Sequence, residues 1–407
     1  MSAIRRAEGE GQAWLAVGLL TLGIYATVPL ARAIQRAVEG AGGRQLFLVA
    51  VAVCFATALF LVLRRLRTGE VQTRHRVVWI AIALLYAASA WQLRRAPEEA
   101  VHLVEYGALG ALAWHALRFR IADAWVFPAA ACVGASAGML DEALQWLTPD
   151  RHWDLRDLAI NAGAATGIQV ALAFGLPERE ARAGSGPGRR LAVRFAALAW
   201  LLLGASLLNT PPRIARLAET LPGLASVRDR GDLMVEYGFR HGDPEIGSFY
   251  SRLELETLRE LDLRRAPEAG ATLARDGGDE VYKRFLATYN PITDPFLHEL
   301  RVHLFRRDRY RETALTHRDD PPWLRRDATV AHRENQILER YFGHTLEQSG
   351  HGLSGEAREW LAEQHLPDRP YRSPVSRGLI TSFGAREVAW GWALGFLVLA
   401  GASRTGR

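Results

Sequence analysis

A short polar stretch enclosed by two long runs without charge most constrains what this chain can fold into. Residues 124–140 and 158–176 contain no Asp, Glu, Lys or Arg, and about 17 to 25 apolar residues are enough to cross a membrane as a helix. Between them, residues 141–161 read DEALQWLTPDRHWDLRDLAIN. We therefore predict two transmembrane helices joined by a polar hairpin at the membrane surface.

Similar apolar runs, all uncharged except 100–117, which contains Glu105, recur along the chain and predict an all-α, multi-span membrane protein. Further spans are predicted near residues 11–31, 45–63, 77–93, 100–117, 195–208 and 388–403, which makes about eight in all. Residues 210–385 are instead dense in Arg, Glu and Asp. The predicted domains are a transmembrane domain over 1–209, a mainly helical extracytoplasmic domain over 210–385, and a final span with its tail over 386–407.

The arginines predict how the spans are oriented. With the N-terminus inside, the inner loops hold about twice as many arginines as the short outer loops, in the direction of the positive-inside rule. We therefore predict a protein of the bacterial cytoplasmic membrane with both termini cytoplasmic and with the hairpin and residues 210–385 outside. In such a protein the excess of arginine behind the net charge of +6 reflects the membrane topology and attraction to anionic lipid headgroups. We therefore predict membrane lipids as partners, and no nucleic acid.

This topology brings polar residues of three spans to one depth at the outer face. The fourth span begins with them, the fifth ends with them, and the sixth begins with them again. The spacings of four residues between them place side chains on shared helix faces. The predicted functional cluster is His102, Glu105, Tyr106, Asp141, Glu142, Gln145, Arg151, Asp154, Arg156, Asp157 and Asn161. The alternative is a solvated loop with helix caps.

The same residues carry a family resemblance. HLVEYGALGALAWHAL (102–117), followed by DEALQWLTPDRHWDLRDLAINAGAATG (141–167), resembles the VanZ-like family, whose pattern is a His and an aromatic, then DE-x-x-Q and R-x-x-D-x-x-D. The matching residues are His102, Tyr106, Asp141, Glu142, Gln145, Arg151, Asp154, Asp157 and Asn161, with Gly163 and Gly167 after them. The resemblance covers about residues 100–176. It implies a multi-span fold with a polar site and a link to glycopeptide resistance. Most members of that family look like small membrane proteins that have no outer (periplasmic) domain.

The chemistry of the predicted cluster leaves three functions open. A histidine among carboxylates can move protons, bind a metal or hold a ligand. No tight metal-ligand spacing is present, so we predict neither a metal nor a cofactor, and no catalytic residue can be named. Arg151 and Arg156 either hold a phosphate or carboxylate headgroup or pair with Asp154 and Asp157. The leading prediction is binding of an amphiphilic envelope component, such as a lipid headgroup, a glycolipid or a glycopeptide-like molecule. The alternatives are an enzyme acting on a lipid-linked substrate and a scaffold working through the outer domain.

Helical periodicity dominates the outer domain, whose partner protein the sequence does not identify. Residues 245–266, 294–310 and 334–349 are predicted to form amphipathic helices. The histidines of HELRVH (298–303) are five apart instead of four, so they do not share a face as a HExxH zinc site requires. Glu299 and His303 do share a face, which predicts a surface pair. The arginines of 301–311 are expected on a solvated face, with binding of anionic headgroups as the alternative.

Overall fold

The computed structural model describes residues 3–30, 45–67, 73–93, 99–148, 153–175, 186–227, 234–274 and 279–404. The chain divides into two compact units, one made of Met1–Asn209 with Val388–Arg407 and the other of Thr210–Glu387. The described residues are mostly helical, with a two-stranded antiparallel sheet in the second unit. The predicted all-α class is therefore confirmed as a mostly helical fold, to which a small sheet is added.

The helices of the first unit coincide with the predicted apolar runs. They are α1 (Ala3–Thr27), α2 (Gln45–Arg67), α3 (Thr73–Gln92), α4 (Ala100–Leu117), α5 (Val126–Leu147), α6 (Leu155–Gly175) and α7 (Gly186–Leu207), with α15 (Ala385–Ala402) near the C-terminus. In the part of the chain that the structure describes, two helices are long and apolar enough to cross a membrane by length and composition. These are Leu155–Gly175 and Pro187–Leu207.

Three helices, α4, α5 and α6, pack against one another at the centre of this unit, with α1 against α4, α3 against α6 and α7 against α5. Small residues allow the close approach. A Cβ added to Gly134 of α5 would lie 2.5 Å from the Ala165 Cβ of α6, and one added to Gly138 would lie 2.7 Å from the Asn161 Cβ. Backbones can approach this closely only where such residues line the interface.

Large apolar side chains cover the outer faces of several helices in this unit. Leu22 of α1, Leu84 of α3 and Phe174 of α6 are each 65% exposed, and Trp390 of α15 is 78% exposed. These side chains give several helices of this unit exposed apolar surface.

A reciprocal pair of tryptophans holds α15 to α7. The indole N–H of Trp200 donates to the Trp392 carbonyl oxygen at 2.8 Å, and that of Trp392 donates to the Trp200 carbonyl oxygen at 2.9 Å. Each ring lies over a glycine, Trp200 over Gly395 and Trp392 over Gly204, where an added Cβ would overlap the ring. The final helix is thereby fixed to the first unit although it is distant in sequence.

The second unit is built from short helices around a hairpin. Its elements are α8 (Pro211–Thr220), a 3-10 helix (Pro222–Val227), β1 (Phe239–Asp243), β2 (Gly247–Ser251), α9 (Leu255–Ala274), α10 (Asp279–Thr288), α11 (Pro295–Thr316), α12 (Pro321–Tyr341), α13 (Gly343–Ser349) and α14 (Gly355–Gln364). Helix α11 begins where Asp294 accepts the Leu297 N–H at 3.0 Å, as an N-cap residue does. It packs along α12, and Phe249, Phe296 and Phe342 lie in the shared core.

Two predicted helices of this unit were wrong in part. The first seven residues of 245–266 lie in the turn and second strand of the β-hairpin, where Asp243 Oδ1 accepts the N–H groups of Glu245 and Ile246 at 3.0 Å, and the helix begins only at Leu255. Gly247 has a φ of 114°, and a Cβ there would overlap the Tyr371 carbonyl oxygen. Glycine is thus required at the start of β2. The predicted helix 334–349 is divided at Phe342 between α12 and α13.

Candidate functional site

Helix α4 contributes three side chains to the predicted cluster. His102 Nδ1 lies 3.5 Å from Glu105 Oε2, and His102 also interacts electrostatically with Asp141 and Asp157. Tyr106 is fully buried, with its hydroxyl directed toward Asp141. These residues lie at positions i, i+3 and i+4 and therefore share the helix face that meets α5 and α6.

Helix α5 ends with three buried polar side chains. Asp141, Glu142 and Gln145 are 1%, 0% and 2% exposed. The Gln145 amide donates to Asp141 Oδ2 at 3.3 Å and to Glu142 Oε1 at 3.0 Å. One amide group therefore holds two neighbouring carboxyl groups in place.

The chain returns to the cluster at the start of α6. Glu142 Oε2 accepts the backbone N–H of Asp154 at 3.3 Å, and Asp154 Oδ1 accepts that of Arg156 at 2.8 Å. Asp157 lies in the first turn of α6, and Asn161 lies one turn later, fully buried against Gly138. The structure thus brings polar side chains of all three helices together. Arg151 lies outside the described residues.

Arg156, one of the two arginines of the polar hairpin, has a different partner from the aspartates and headgroups that the sequence suggested. Arg156 Nη1 lies 3.1 Å from Glu99 Oε2, and Arg156 meets Asp154 through its backbone N–H. Because Glu99 immediately precedes α4, this ion pair joins the entry to α4 to the start of α6. Half of the Arg156 side chain remains exposed, at 55%.

Several buried polar atoms of the cluster have no hydrogen-bond partner among the described residues. They are both amide atoms of Asn161, together with the Tyr106 hydroxyl and Asp141 Oδ1, which face each other without a hydrogen bond of standard geometry. Buried polar groups in native proteins are nearly always paired, and each unpaired group costs about 1–3 kcal/mol. Such a concentration at the junction of three helices is typical of a site that another molecule completes.

Two contributors to this region were not predicted from the sequence. The Tyr25 hydroxyl of α1 donates to the Ala137 carbonyl oxygen at 2.9 Å and lies within electrostatic range of Asp141. Glu99 is the partner of Arg156. No sequence signal distinguishes one tyrosine in an uncharged run, because its contact with α5 depends on how α1 packs. Glu99 could have been found from its position one residue before the fourth span.

Acceptor groups dominate the chemistry of the cluster. Among its described residues, carboxyl groups come from all three helices, and the cationic candidates His102 and Arg156 lie beside Glu105 and Glu99, respectively. Such a site favours a ligand that donates hydrogen bonds through hydroxyl or amine groups. Within the described residues, no group of three or more His, Cys, Asp or Glu is arranged to hold a metal ion.

A second buried polar network lies in the second unit, where it corrects the prediction for HELRVH. Glu299 and His303 are both 0% exposed, so they do not form a surface pair. His303 Nδ1 lies 2.6 Å from Glu334 Oε2 of α12. The other Glu334 oxygen accepts hydrogen bonds from Arg306 at 2.9 Å, Ser373 at 2.8 Å and Tyr371 at 2.5 Å. This carboxylate therefore ties α11 to α12 and to the C-terminal part of the unit.

Three of the five arginines in 301–311 likewise differ from the expected solvated face, whereas Arg309 is exposed as expected. Arg301 and Arg307 are 9% and 2% exposed. The Arg301 guanidinium lies 4.7 Å from the Tyr282 ring centroid, and Arg306 pairs with Glu334. These three side chains are used inside the unit, which leaves them unsuited to binding lipid headgroups.

Titratable groups in this unit depend on burial and on partners. Burial, with His365 next to it, lowers the pKa of His332 to about 4. Burial alone would raise the pKa of Asp243, but hydrogen bonds from Tyr341 and Arg340 outweigh it and lower the pKa to about 2. In an unfolded chain the pKa values of His and Asp are about 6.5 and about 3.9. In both cases the unfolded chain binds protons more readily than the folded unit does.

Acidification is therefore expected to destabilise the second unit in two stages. The contribution of His332 is present above about pH 6.5 and is lost as the pH falls toward about 4. That of Asp243 is present above about pH 4 and is lost toward about pH 2. Thermal unfolding of the full-length protein, followed by circular dichroism, should show a falling midpoint through both ranges. His332→Gln should remove only the upper stage, and a midpoint that is unchanged on acidification would contradict this assignment.

No family model, curated protein or solved structure matches this chain.

Proposed function

We propose that this chain is an integral protein of the bacterial cytoplasmic membrane that binds an amphiphilic envelope component at the cluster of α4, α5 and α6. The observation that carries the proposal is the set of buried, unpaired polar atoms on Tyr106, Asp141 and Asn161. All three residues are buried between the helices, so a polar atom left unpaired there is costly even at the outer membrane surface. A ligand headgroup that reaches between the helices would supply the missing partners.

The acceptor-rich chemistry of the cluster favours a particular kind of headgroup. Asp141 and Glu142 already share the single amide donor of Gln145, and the guanidinium of Arg156 lies against Glu99. A headgroup with hydroxyl or amine donors would complement these carboxyl groups, whereas an anionic phosphate would meet them with like charge. We therefore favour a glycolipid or an aminated lipid over a bare lipid phosphate. The resemblance to the VanZ-like family agrees with an envelope role.

The proposed topology has eight spans, α1 to α7 and α15, with both termini in the cytoplasm. Its support is the arginine bias of the loops together with the exposed apolar faces of these helices. In this orientation the start of α4, the end of α5 and the start of α6 lie at the outer surface, and the second unit is extracytoplasmic. The cluster then opens toward the envelope.

Cysteine labelling in intact cells is expected to show this orientation. In a chain whose two native cysteines are replaced by serine, Thr257→Cys places a thiol on an exposed position of α9, and Arg404→Cys places one after α15. A membrane-impermeant maleimide should label the first in intact cells and the second only after permeabilisation. The reverse pattern would overturn the topology and the outer location of the cluster.

The binding proposal predicts that Asp141→Asn releases a co-purifying amphiphile. The substitution preserves the shape of the side chain but replaces one carboxyl oxygen with an amide N–H donor, and a buried hydrogen-bonding group left without a partner costs about 1–3 kcal/mol, equivalent to roughly five- to a hundredfold in affinity. Native mass spectrometry of protein extracted in mild detergent should show a bound species that the variant has lost.

Ser136→Ala is the matched control for this experiment. Ser136 is also buried on α5, but it lies more than one turn from Asp141, so its removal should leave the bound species in place. Equal retention by the wild type and Asp141→Asn would contradict the binding proposal. Replacement of the bound species by one of different mass in the variant would instead favour the enzyme alternative, because substrate would accumulate.

A further inference from the structure

An apolar groove of about 400 Å³ lies in the first unit between α2, α3, α4 and α6. Its lining includes Cys54 and Leu59 of α2, Trp79 and Tyr86 of α3, and Leu103 and Ala111 of α4. The volume falls within the roughly 300–1,000 Å³ that is usual for small-molecule sites. A lining of this kind suits a hydrocarbon chain.

Small residues of α4 make room for the groove. Gly107, Ala108 and Ala111 all face it. Tyr86 forms one wall and is fixed there, because its hydroxyl donates to the Ala164 carbonyl oxygen and its ring lies against Gly167, where an added Cβ would be 3.0 Å away. The groove is therefore bounded by a side chain that is itself held in place.

The groove and the polar cluster occupy neighbouring faces of the same helix. His102 and Tyr106 of α4 face the cluster, whereas Leu103 and Gly107, each the next residue in sequence, face the groove. From Leu103 to Ala111 the groove extends along α4 by about 12 Å, at 1.5 Å per residue. It thus begins at the level of the cluster and continues away from it along α4.

We infer that this groove holds the hydrocarbon chain, acyl or isoprenyl, of the same amphiphile whose headgroup the polar cluster binds. The inference rests on the proposed function and adds to it the class of ligand, a lipid with at least one long chain seated between helices. Its basis is the continuity of an apolar groove with a cluster of unpaired polar atoms along α4. A headgroup alone would leave the groove unused.

The test uses two glycosides that share a headgroup and differ in chain length. Full-length protein in phosphatidylcholine nanodiscs is equilibrated with hexadecyl glucoside or methyl glucoside, and native mass spectrometry measures the fraction bound. Ala108→Phe fills the groove from an exposed position of α4, and Ala111→Phe does so one turn deeper. Ala81→Phe is the control, because Ala81 is an exposed residue of α3 that does not line the groove.

We expect the groove-filling variants to bind hexadecyl glucoside at least about tenfold more weakly, while binding of methyl glucoside, which has no chain to enter the groove, and binding by the control variant stay unchanged. If Asp141→Asn lowers binding and both groove-filling variants leave it unchanged, the groove inference is wrong and the proposed function stands. If Asp141→Asn has no effect, the proposed function fails. If Asp141→Asn has no effect but the groove-filling variants no longer bind hexadecyl glucoside, the alkyl chain binds independently of the cluster. That outcome would also overturn the inference. Gel filtration and circular dichroism establish that each variant is folded.

Discussion

Replacing Glu334 with glutamine is expected to bring the second unit close to unfolding. The Glu334 carboxylate is fully buried and contacts His303, Arg306, Tyr371 and Ser373. Burial alone would raise the pKa of Glu334, but the contacts with His303, Tyr371 and Arg306 outweigh it and hold the pKa below its usual value, so the folded unit contains the charged form. Removing one partner from a buried charged network costs about 3–5 kcal/mol, a large part of the roughly 5–15 kcal/mol that stabilises a typical domain.

Glu339→Gln provides the matched control, because it is the same substitution on the same helix. Glu339 Oε1 pairs with Arg358 Nε at 2.8 Å, but the two side chains are 37% and 53% exposed. Surface pairs contribute about 0–1 kcal/mol. Urea unfolding of the full-length protein, followed by circular dichroism, should separate the two variants by several kcal/mol. Equal effects would show that the Glu334 network does not hold the unit together.

Helical segments could be predicted from the sequence where charge marks both of their ends. Helix α4 spans Ala100–Leu117, the same bounds as the apolar run, because Glu99 precedes it and Arg118 follows it. The β-hairpin of the second unit was not predicted, although Gly242, Asp243 and Gly247 are residue types that favour turns. Leu and Glu residues that follow at helical spacing obscured the alternation of Phe249 and Ser251, whose side chains are both buried.

Pairings between distant segments could not be predicted in the same way. Periodicity placed Glu299 and His303 on one face of α11 but did not show that this face is covered by α12, which supplies Glu334. Arg301 and Arg307 of α11 were predicted to lie on a solvated face for the same reason, but both are buried. One helix considered alone gives the direction of a side chain and not the neighbour that it meets.

The candidate site shows the same division. Helical spacing and position along each apolar run were enough to predict that polar residues of α4, α5 and α6 lie together, as they do in the structure. The pairing of Arg156 with Glu99 and the contact of Tyr25 with α5 depend on the lateral arrangement of the helices. The residues of the hairpin could therefore be named from the sequence, whereas their partners required the structure.

Substituting leucine for Gly134 is expected to separate α5 from α6 and to disrupt the cluster that lies further along both helices. An added Cβ at Gly134 would be 2.5 Å from the Ala165 Cβ, and Ala165 is fully buried on a helix that packs closely against α4 as well. The larger side chain has no space, so the helices must move apart. Overpacking of this kind costs about 1–3 kcal/mol, and the headgroup site should lose affinity with it.

Gly163→Leu is the decisive comparison, because each glycine is followed four residues later by another, Gly134 by Gly138 and Gly163 by Gly167, while the surroundings of the two differ in the structure. No atom of the described residues lies within 4 Å of a Cβ added to Gly163, and leucine favours a helix over glycine by up to about 1 kcal/mol. This variant should have the thermal midpoint of the wild type and should retain its bound amphiphile. In the same detergent, Gly134→Leu should have a lower thermal midpoint and should no longer retain the amphiphile. If instead Gly163→Leu were the damaging substitution, the close packing of α5 on α6 would be wrong, and the geometry proposed for the binding site would fail with it.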